Sequence, residues 1–178
     1  LEIHPVAPGV SVLFPVNEAR LPMCAPPMSD NGEGQRPQAE NQPALEAATS
    51  PVTIDLMVVY TPASAANNGG TAGIEAKILQ AVADANTGYQ NSQIGVQMRL
   101  VYVGLVDYVE NGRIYDAVKL LQAPGDGVMD EVHALRDQYG ADLVALIDED
   151  SNYCGVALMI KPLNDGADSR AFCVVYSA

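Results

Sequence analysis

The sequence predicts an α/β fold: one mixed five-stranded sheet, mostly parallel with one antiparallel edge strand, together with two main helices. Three observations lead to this prediction. Short apolar runs rich in β-branched residues are typical of strands that are buried on both faces. Between them lie stretches whose apolar residues recur every three or four positions, as they do on one face of a helix. Because parallel neighbours need a crossover connection, the β-α-β-α-β order that opens this region favours a parallel core.

The elements follow one another at ordinary spacings. Val52–Tyr60 is a nearly continuous apolar run that predicts the first strand, and Thr61-Pro62 ends it. Ile74 and Ile78 share one helical face, which predicts a helix over 71–90 that stops at Asn91-Ser92. The remaining predictions are a strand over 96–106, a turn at 111–112, a short helix over 114–121, a helix over 127–139 closed by Gly140, and strands over 141–147, 154–160 and 171–176. A short loop precedes the strand over 154–160, so that strand is expected to run antiparallel at an edge.

Residues 1–50 differ in composition from the rest of the chain. They contain eight of the twelve prolines, and the stretch from Ser29 to Ser50 is polar, rich in Gln and Ala, and without sustained periodicity. This composition predicts a linker or the end of a pro-segment, not a core. The short apolar run Val10–Val16 predicts one strand, paired with something upstream.

Charge and hydropathy exclude several classes of function. The formal net charge is −13, with nine Lys and Arg scattered along the chain, so a nucleic-acid phosphate backbone would be repelled. No run of 18 apolar residues exists, so the sequence predicts no membrane span. The chain begins at Leu1 and not at Met, which is expected either after removal of a signal peptide or for a start within a longer protein.

A zinc site is not predicted within these residues. The two histidines, His4 and His133, belong to no His-Glu-x-x-His pattern, whereas zinc needs three or four close protein ligands. His133 is therefore interpreted as a satisfied surface or half-buried histidine on a helix. There is also no Gly-x-Ser-x-Gly nucleophile and no phosphate-binding Gly-Lys-Ser/Thr loop.

The acidic run Asp148-Glu149-Asp150 has two interpretations. It follows a predicted strand at its carboxyl end, where α/β sheets place ligand sites, and three carboxylates there could hold Ca²⁺ or Mg²⁺. The alternative is a solvated turn whose backbone is capped through Asp150, Ser151 and Asn152.

Three cysteines, an odd number, suggest a free thiol or a partner outside the chain. Cys173 lies in an apolar strand and is predicted to be core. Cys24 lies in an extended, proline-flanked segment, from which its thiolate could occupy the open position of a catalytic zinc as an inhibitory switch. The alternative is a linker cysteine without a role.

Several blocks together resemble a known family. They are VTIDLMVVYTPAS, IEAKILQAVADANTGYQNS, VQMRLVYVG, GVMDEVHALRDQYGADLVALI, and SNYCGVALMI with AFCVVY. In register over about 51–178, they are similar to bacterial reprolysin-like zinc metallopeptidases of the metzincin clan, of the peptidyl-Asp metalloendopeptidase type.

The resemblance implies that residues 51–178 are the upper subdomain of a protease, with a twisted five-stranded sheet, and that 1–50 end its pro-segment. The helix with His-Glu-x-x-His-x-x-Gly-x-x-His, which supplies three zinc ligands and the general base, is expected after residue 178. Zinc endopeptidase activity is thus implied for a secreted parent protein made as a zymogen. A fragment without that motif is expected to be inactive.

The resemblance also implies roles for residues of this chain. The edge strand that pairs with the substrate backbone corresponds to Gly155, Val156, Ala157, Leu158 and Met159. Cys154 resembles a position that is disulfide-linked to a cysteine near the zinc helix, beyond Ala178, with a Cys154–Cys173 bridge as the rival pairing. Cys24 resembles the switch cysteines of pro-segments. A preference for an acidic side chain next to the cut is implied as well, and no residue of the sequence accounts for it.

Two other functions fit the same sequence. One is a non-catalytic peptide-binding module that uses the same edge strand, and the other is a Ca²⁺-binding domain built on the acidic run. The sequence does not predict the oligomeric state.

Overall fold

The computed structural model describes residues 2–7, 10–14, 51–160 and 166–177, and of the first two ranges only the backbone. Those two ranges form an antiparallel hairpin of β1 (Glu2–Ala7) and β2 (Val10–Phe14). The strand predicted over Val10–Val16 thus pairs with residues upstream of it. The assignment of residues 1–50 as a linker or pro-segment end stays a prediction, and most of that stretch lies outside the described residues.

Five strands form the sheet that the sequence predicts, in the order β4-β3-β5-β7-β6. The pairs β4–β3, β3–β5 and β5–β7 are parallel, and β6 is antiparallel to β7 at one margin. The mixed sheet and its antiparallel edge strand are therefore confirmed. The elements are β3 (Val52–Tyr60), α1 (Pro62–Asn67), α2 (Thr71–Asn91), β4 (Val96–Leu105), α3 (Ile114–Gln122), α4 (Glu131–Tyr139), β5 (Leu143–Asp148), β6 (Gly155–Ala157) and β7 (Phe172–Tyr176).

Helix α1 was not predicted. The dipeptide Thr61-Pro62, interpreted as the end of a strand, is also the start of this helix, because the Thr61 hydroxyl accepts the Ser64 N–H at 3.1 Å. Proline at the first helical position needs no amide donor and has its φ already set. The same two residues thus end β3 and begin α1.

Helix α4 begins at Glu131, four residues later than the sequence predicts. The Asp130 carboxylate accepts the N–H groups of Gly125 at 2.7 Å and Gly127 at 3.0 Å, which closes a loop ahead of the helix. Met129 in that loop has φ 56°, a left-handed conformation that a helix cannot include. The predicted end at Gly140 is confirmed, with φ 62° at that residue.

The two faces of the sheet pack against different helices. Helices α3 and α4 cover one face, where side chains such as Met57, Leu146 and Val174 are fully buried. Helices α1 and α2 pack on the opposite face, here called the α2 face, against Leu56, Val58 and Tyr60. Alternation of side chains along β3 supplies both faces, which accounts for its continuous apolar run.

Helix α2 covers only part of its face. Over β5, β7 and β6 the α2 face has two shallow cavities of about 310 and 150 Å³. Apolar side chains line most of their surface, including Leu56, Leu143, Ala145, Ala157, Leu158 and Cys173 in the larger one and Ile74, Ile78, Ile147 and Val175 in the smaller one. Exposed apolar surface that is continuous in this way is a site where another element packs or a dye binds. Within the described ranges, no helix is long and apolar enough to cross a membrane.

We expect residues 1–178 to enhance the fluorescence of a hydrophobic dye, because the α2 face is incompletely covered. Val175→Asn, at a side chain 38% exposed in the smaller cavity, should reduce the enhancement. Val109→Asn, at a side chain 84% exposed outside both cavities, is the matched control and should leave it unchanged. A sharp thermal transition without dye binding would contradict the expectation.

Candidate functional site

The margin formed by β6 is held by a short antiparallel ladder. Gly155 lies opposite Val175, Val156 opposite Val174, and Ala157 opposite Cys173. Hydrogen bonds from Tyr176 N–H to the Cys154 carbonyl at 3.1 Å and from Leu158 N–H to the Phe172 carbonyl at 3.3 Å extend it at both ends. The regular strand is shorter than the predicted 154–160 and covers Gly155–Ala157.

Alternation along an antiparallel strand decides which backbone groups remain available. The bonds at Cys154 and Leu158 show that even-numbered residues point their N–H and C=O groups at β7. Gly155 and Ala157 therefore point theirs away from the sheet. Of the five residues predicted to bind substrate, Val156 and Leu158 have these groups already engaged with β7. Among the described residues, nothing pairs with the outer margin of β6 as a further strand.

The last predicted residue, Met159, lies beyond the strand. Its carbonyl accepts a long hydrogen bond of 3.5 Å from Nη1 of Arg170. Val156 has a different role from its neighbours, since its side chain is buried on the face covered by α3. The outer edge thus offers two residues, Gly155 and Ala157, whose backbone groups point away from β7 and are paired by no other described strand. The residue between them, Val156, anchors the strand to the core.

The close approach of β7 leaves no space for a side chain at position 155, so this residue must be glycine. A Cβ atom at this position would lie 2.9 Å from the Val174 carbonyl oxygen, a backbone atom that cannot move without moving β7. The absence of a side chain therefore lets the start of β6 lie tightly against its neighbour.

We expect Gly155→Ala to push β6 away from β7. The free energy of unfolding should fall by about 1 to 3 kcal/mol, as for overpacked sites, and the unfolding midpoint should fall with it. Gly88→Ala is the matched control, because a Cβ there meets nothing within 4 Å. Gly88 lies inside α2, so its replacement should be neutral or stabilising. Thermal unfolding of both variants tests this, and equal midpoints for the two would contradict the tight contact.

The ladder register decides between the two predicted pairings of Cys154. Cys173 lies opposite Ala157, three residues along β6 from Cys154, so the two Cα atoms are separated by roughly 10 Å. A disulfide needs less than about 7 Å, which excludes a Cys154–Cys173 bridge in this fold. Cys173 packs against the core of the α2 face, as predicted, although it is only partly buried, and burial raises the pKa of its thiol to about 11. A Cys154 partner outside the chain stays a prediction, and Cys24 lies outside the described residues.

The acidic run does not form a metal site. Glu149 accepts Asn67 Nδ2 at 2.8 Å and also the Ser177 hydroxyl, while Asp150 accepts the backbone and side-chain N–H groups of Asn152 at 3.1 and 2.7 Å. Among the described residues, no group of three or more His, Cys, Asp or Glu side chains could hold a metal ion. The calcium interpretation is therefore not supported, because the three carboxylates do not form such a group.

The turn interpretation of the same run is correct in its hydrogen bonding and wrong in its exposure. Asp150 caps the backbone at Asn152 as predicted, but Asp148 and Asp150 are only 1% and 6% exposed. Burial raises the pKa of Asp148 to about 7, against a hydrogen bond from the Asp150 N–H that lowers it. The negative charges of Glu110, Asp150 and Glu149 raise that pKa further.

We expect Asp148→Asn to stabilise the fold at pH 8 and to have little effect near pH 4. The Asp148 pKa is raised from 3.8 to about 7, so the folded state holds a proton that the unfolded chain loses. Stability contributed by this group therefore falls as pH rises from about 4 to 7, by at most about 4 kcal/mol. Denaturant unfolding at the two pH values measures it. Asp107→Asn, which removes one exposed carboxylate, is the charge-matched control. An equal effect of the two substitutions would contradict the assignment to burial of Asp148.

His133 is not a metal ligand among the described residues, and it is not fully satisfied either. Its ring packs against Phe172 with centroids 5.4 Å apart, and its Nε2 is buried without a hydrogen-bond partner in the described part of the chain. The interpretation of His133 as a satisfied histidine is therefore wrong for this atom. The side chains present do not fit a zinc ion, so no step of zinc chemistry is assigned to them.

A cavity next to β6 was not predicted from the sequence. The loop that ends at Arg113 and the segment that leads into β6 enclose an open space of about 460 Å³. Asn152 Nδ2 donates to the Gly112 carbonyl at 3.0 Å and joins the two segments. The Asn111-Gly112 turn was the available signal, but its contact with a segment 40 residues later is a tertiary one.

The chain is similar in sequence to metallopeptidases. A model of the reprolysin-like metallopeptidases, family M12B, matches residues 50–171. The chain is 32% identical over 180 residues to a peptidyl-Asp metalloendopeptidase of Xanthomonas campestris, and this match covers 98% of the chain. It is 32% identical over 168 residues to one of Stenotrophomonas maltophilia, covering 93% of the chain.

The chain belongs to the reprolysin-like M12B metallopeptidase family. It spans about two fifths of the length of the two relatives named, 41% and 39% respectively. One solved chain, from a chaperone–substrate complex, superposes with a TM-score of 0.59 at 16% identity, over 71% of this chain and 23% of that one. At that identity the superposition shows a shared fold alone. The family resemblance seen in the sequence, including its peptidyl-Asp type, is thus confirmed.

Proposed function

We propose that the protein containing this chain is a secreted, zinc-dependent endopeptidase, and that β6 holds its polypeptide substrate in an extended conformation. The observation that carries the proposal is the outer margin of β6, where Gly155 and Ala157 point backbone N–H and C=O groups away from the sheet. An extended peptide can complete these groups by adding as another strand. The peptidyl-Asp metalloendopeptidases to which the chain is similar support proteolysis as the activity.

The margin alone would bind a peptide weakly. Two residues offer up to four hydrogen bonds, each contributing about 0.5 to 1.5 kcal/mol net. Side-chain contacts must therefore supply much of the affinity and all of the selectivity. Since strand addition by backbone groups is tolerant of sequence, it suits an enzyme that accepts many polypeptides.

The zinc ligands would come from sequence outside residues 1–178. The α2 face supports this arrangement, because its apolar cavities over β5, β7 and β6 would accept a further helix. Ser177 lies at the smaller cavity and is held by its N–H bond to the Asp148 carbonyl at 2.9 Å and by Lys77. A segment that followed Ser177 would begin beside that face.

Ala157→Pro tests the role of the margin. Its N–H points away from β7, so proline removes an outward donor without breaking the ladder, and proline is tolerated at such edge positions. We expect the variant to fold and to lose about two- to tenfold in peptide binding, as for the loss of one hydrogen bond. Val156→Pro removes a donor to β7 and should instead destabilise the fold. Calorimetry or fluorescence anisotropy with an extended peptide measures binding, and unchanged affinity in Ala157→Pro would contradict the proposal.

A non-catalytic peptide-binding module is the second candidate, because the same margin would serve it and the described residues hold no metal-binding group. The coding sequence after Ala178 discriminates the two. A His-Glu-x-x-His pattern within roughly 20 codons supports the protease, and the full-length protein should then lose cleavage, but not peptide binding, when zinc is chelated. Binding without cleavage by the zinc-supplied full-length protein supports the module.

A further inference from the structure

We infer that Arg113, at the cavity beside the start of β6, selects substrates with an acidic side chain. This inference rests on the proposed function, because it assigns selectivity to the same margin. The cavity of about 460 Å³ is lined by Gly112, Arg113, Ile114, Tyr115, Asn152 and Tyr153. Among the described residues that line it, Arg113 is the one with a charged side chain.

The cavity lies where a bound peptide would reach it. Tyr153 precedes Gly155 by two residues, which places it at most about 7 Å from the start of the strand. A peptide that adds antiparallel to β6 runs from Ala157 towards Gly155 and continues towards Tyr153. The side chains that follow the paired residues would therefore meet the cavity.

The Arg113 side chain is free to contact a ligand. It is 74% exposed, and its ion pair with Asp116, at 3.2 Å, uses Nε alone. Both Nη groups have no partner among the described residues, and together they present the donor geometry that a carboxylate accepts. Arg113 also precedes the first turn of α3, so the helix dipole adds a positive potential of the same sign.

The walls of the cavity would hold a substrate side chain in one orientation. Tyr115 and Tyr153 pack edge to face with ring centroids 5.5 Å apart and form a rigid apolar wall. The hydrogen bond from Asn152 to the Gly112 carbonyl holds the two enclosing segments together. An aspartate or glutamate side chain could thus lie along the rings with its carboxylate at Arg113.

The other described cations are placed differently. Lys77 donates to the Ser177 carbonyl at the smaller cavity of the α2 face. Arg99 pairs with Asp55 through two bonds of 2.7 and 2.6 Å, and Arg136 donates to three backbone carbonyls. Arg170 donates to the Met159 carbonyl, at the opposite end of β6 from the cavity. Lys119 is exposed on α3, the helix that Arg113 precedes, lies away from the cavity, and so provides a matched control.

The test compares peptides that differ only by Asp or Asn, with the substitution moved along successive positions. Binding to residues 1–178 is measured by fluorescence anisotropy. We expect the wild type to favour the Asp peptide by about tenfold at one position, C-terminal to the residues paired with β6, as for one charge-assisted hydrogen bond. Arg113→Gln should abolish the preference and leave binding of the Asn peptide unchanged. Lys119→Gln should retain it.

Two further variants sharpen the outcome. Asp116→Asn removes the competing carboxylate and should increase the preference, and Arg113→Glu should reverse it towards a Lys peptide. If the preference for the Asp peptide survives Arg113→Gln, or if Lys119→Gln abolishes it equally, Arg113 does not select the acidic side chain. Binding of the peptide to β6 would still stand in that case. If neither peptide binds the wild type, the proposed margin fails together with the inference.

Discussion

The pairing of β6 with β7 is the constraint on which the rest of the site depends. Three residue pairs and two flanking hydrogen bonds hold this strand. A slip by one residue would turn the Gly155 and Ala157 backbone groups towards β7 and expose the buried Val156 side chain. Two features oppose such a slip: burial of Val156 at 4% exposure, and the close contact that only glycine permits at position 155. The register of a very short strand is thus fixed by its packing.

The unequal covering of the sheet follows from where the helices connect. Helices α3 and α4 cover one face of the sheet, and the Val156 side chain of β6 is buried on that face. Helix α2, which joins β3 to β4, stays over those two strands and leaves the far half of its own face with apolar cavities. The margin proposed to bind peptide therefore rests on a well-packed face and adjoins an incompletely covered one.

Local sequence patterns predicted the parts of the fold that depend on burial and periodicity. The apolar run Val52–Tyr60, the spacing of Ile74 and Ile78, and the left-handed stop at Gly140 each correspond to an observed element. The start of α4 was predicted too early because an Asp130 carboxylate, not a propensity, holds the preceding loop.

The site was harder to predict than the fold, since its properties arise from contacts between distant residues. Alternation of free and engaged groups along β6 depends on the register with β7, which no pattern within residues 155–159 specifies. The acidic run behaved similarly: its three carboxylates look alike in sequence but have different partners, such as Asn67 for Glu149 and Asn152 for Asp150. Arg113 became a candidate only through the contact of Gly112 with Asn152.

Recognition of an acidic side chain by a chain of net charge −13 is physically consistent if the interaction is local. At physiological ionic strength the Debye length is about 8 Å, so most of the acidic surface has little influence at the cavity. Burial keeps Asp148 largely protonated below its raised pKa of about 7, which further reduces the negative charge near the end of β5. An arginine in contact with a carboxylate is screened much less than those remote charges. The cavity can thus select an acidic side chain although the net charge of the chain is negative. Added salt should weaken this selectivity far less than it weakens the repulsion between an acidic peptide and the remote acidic residues.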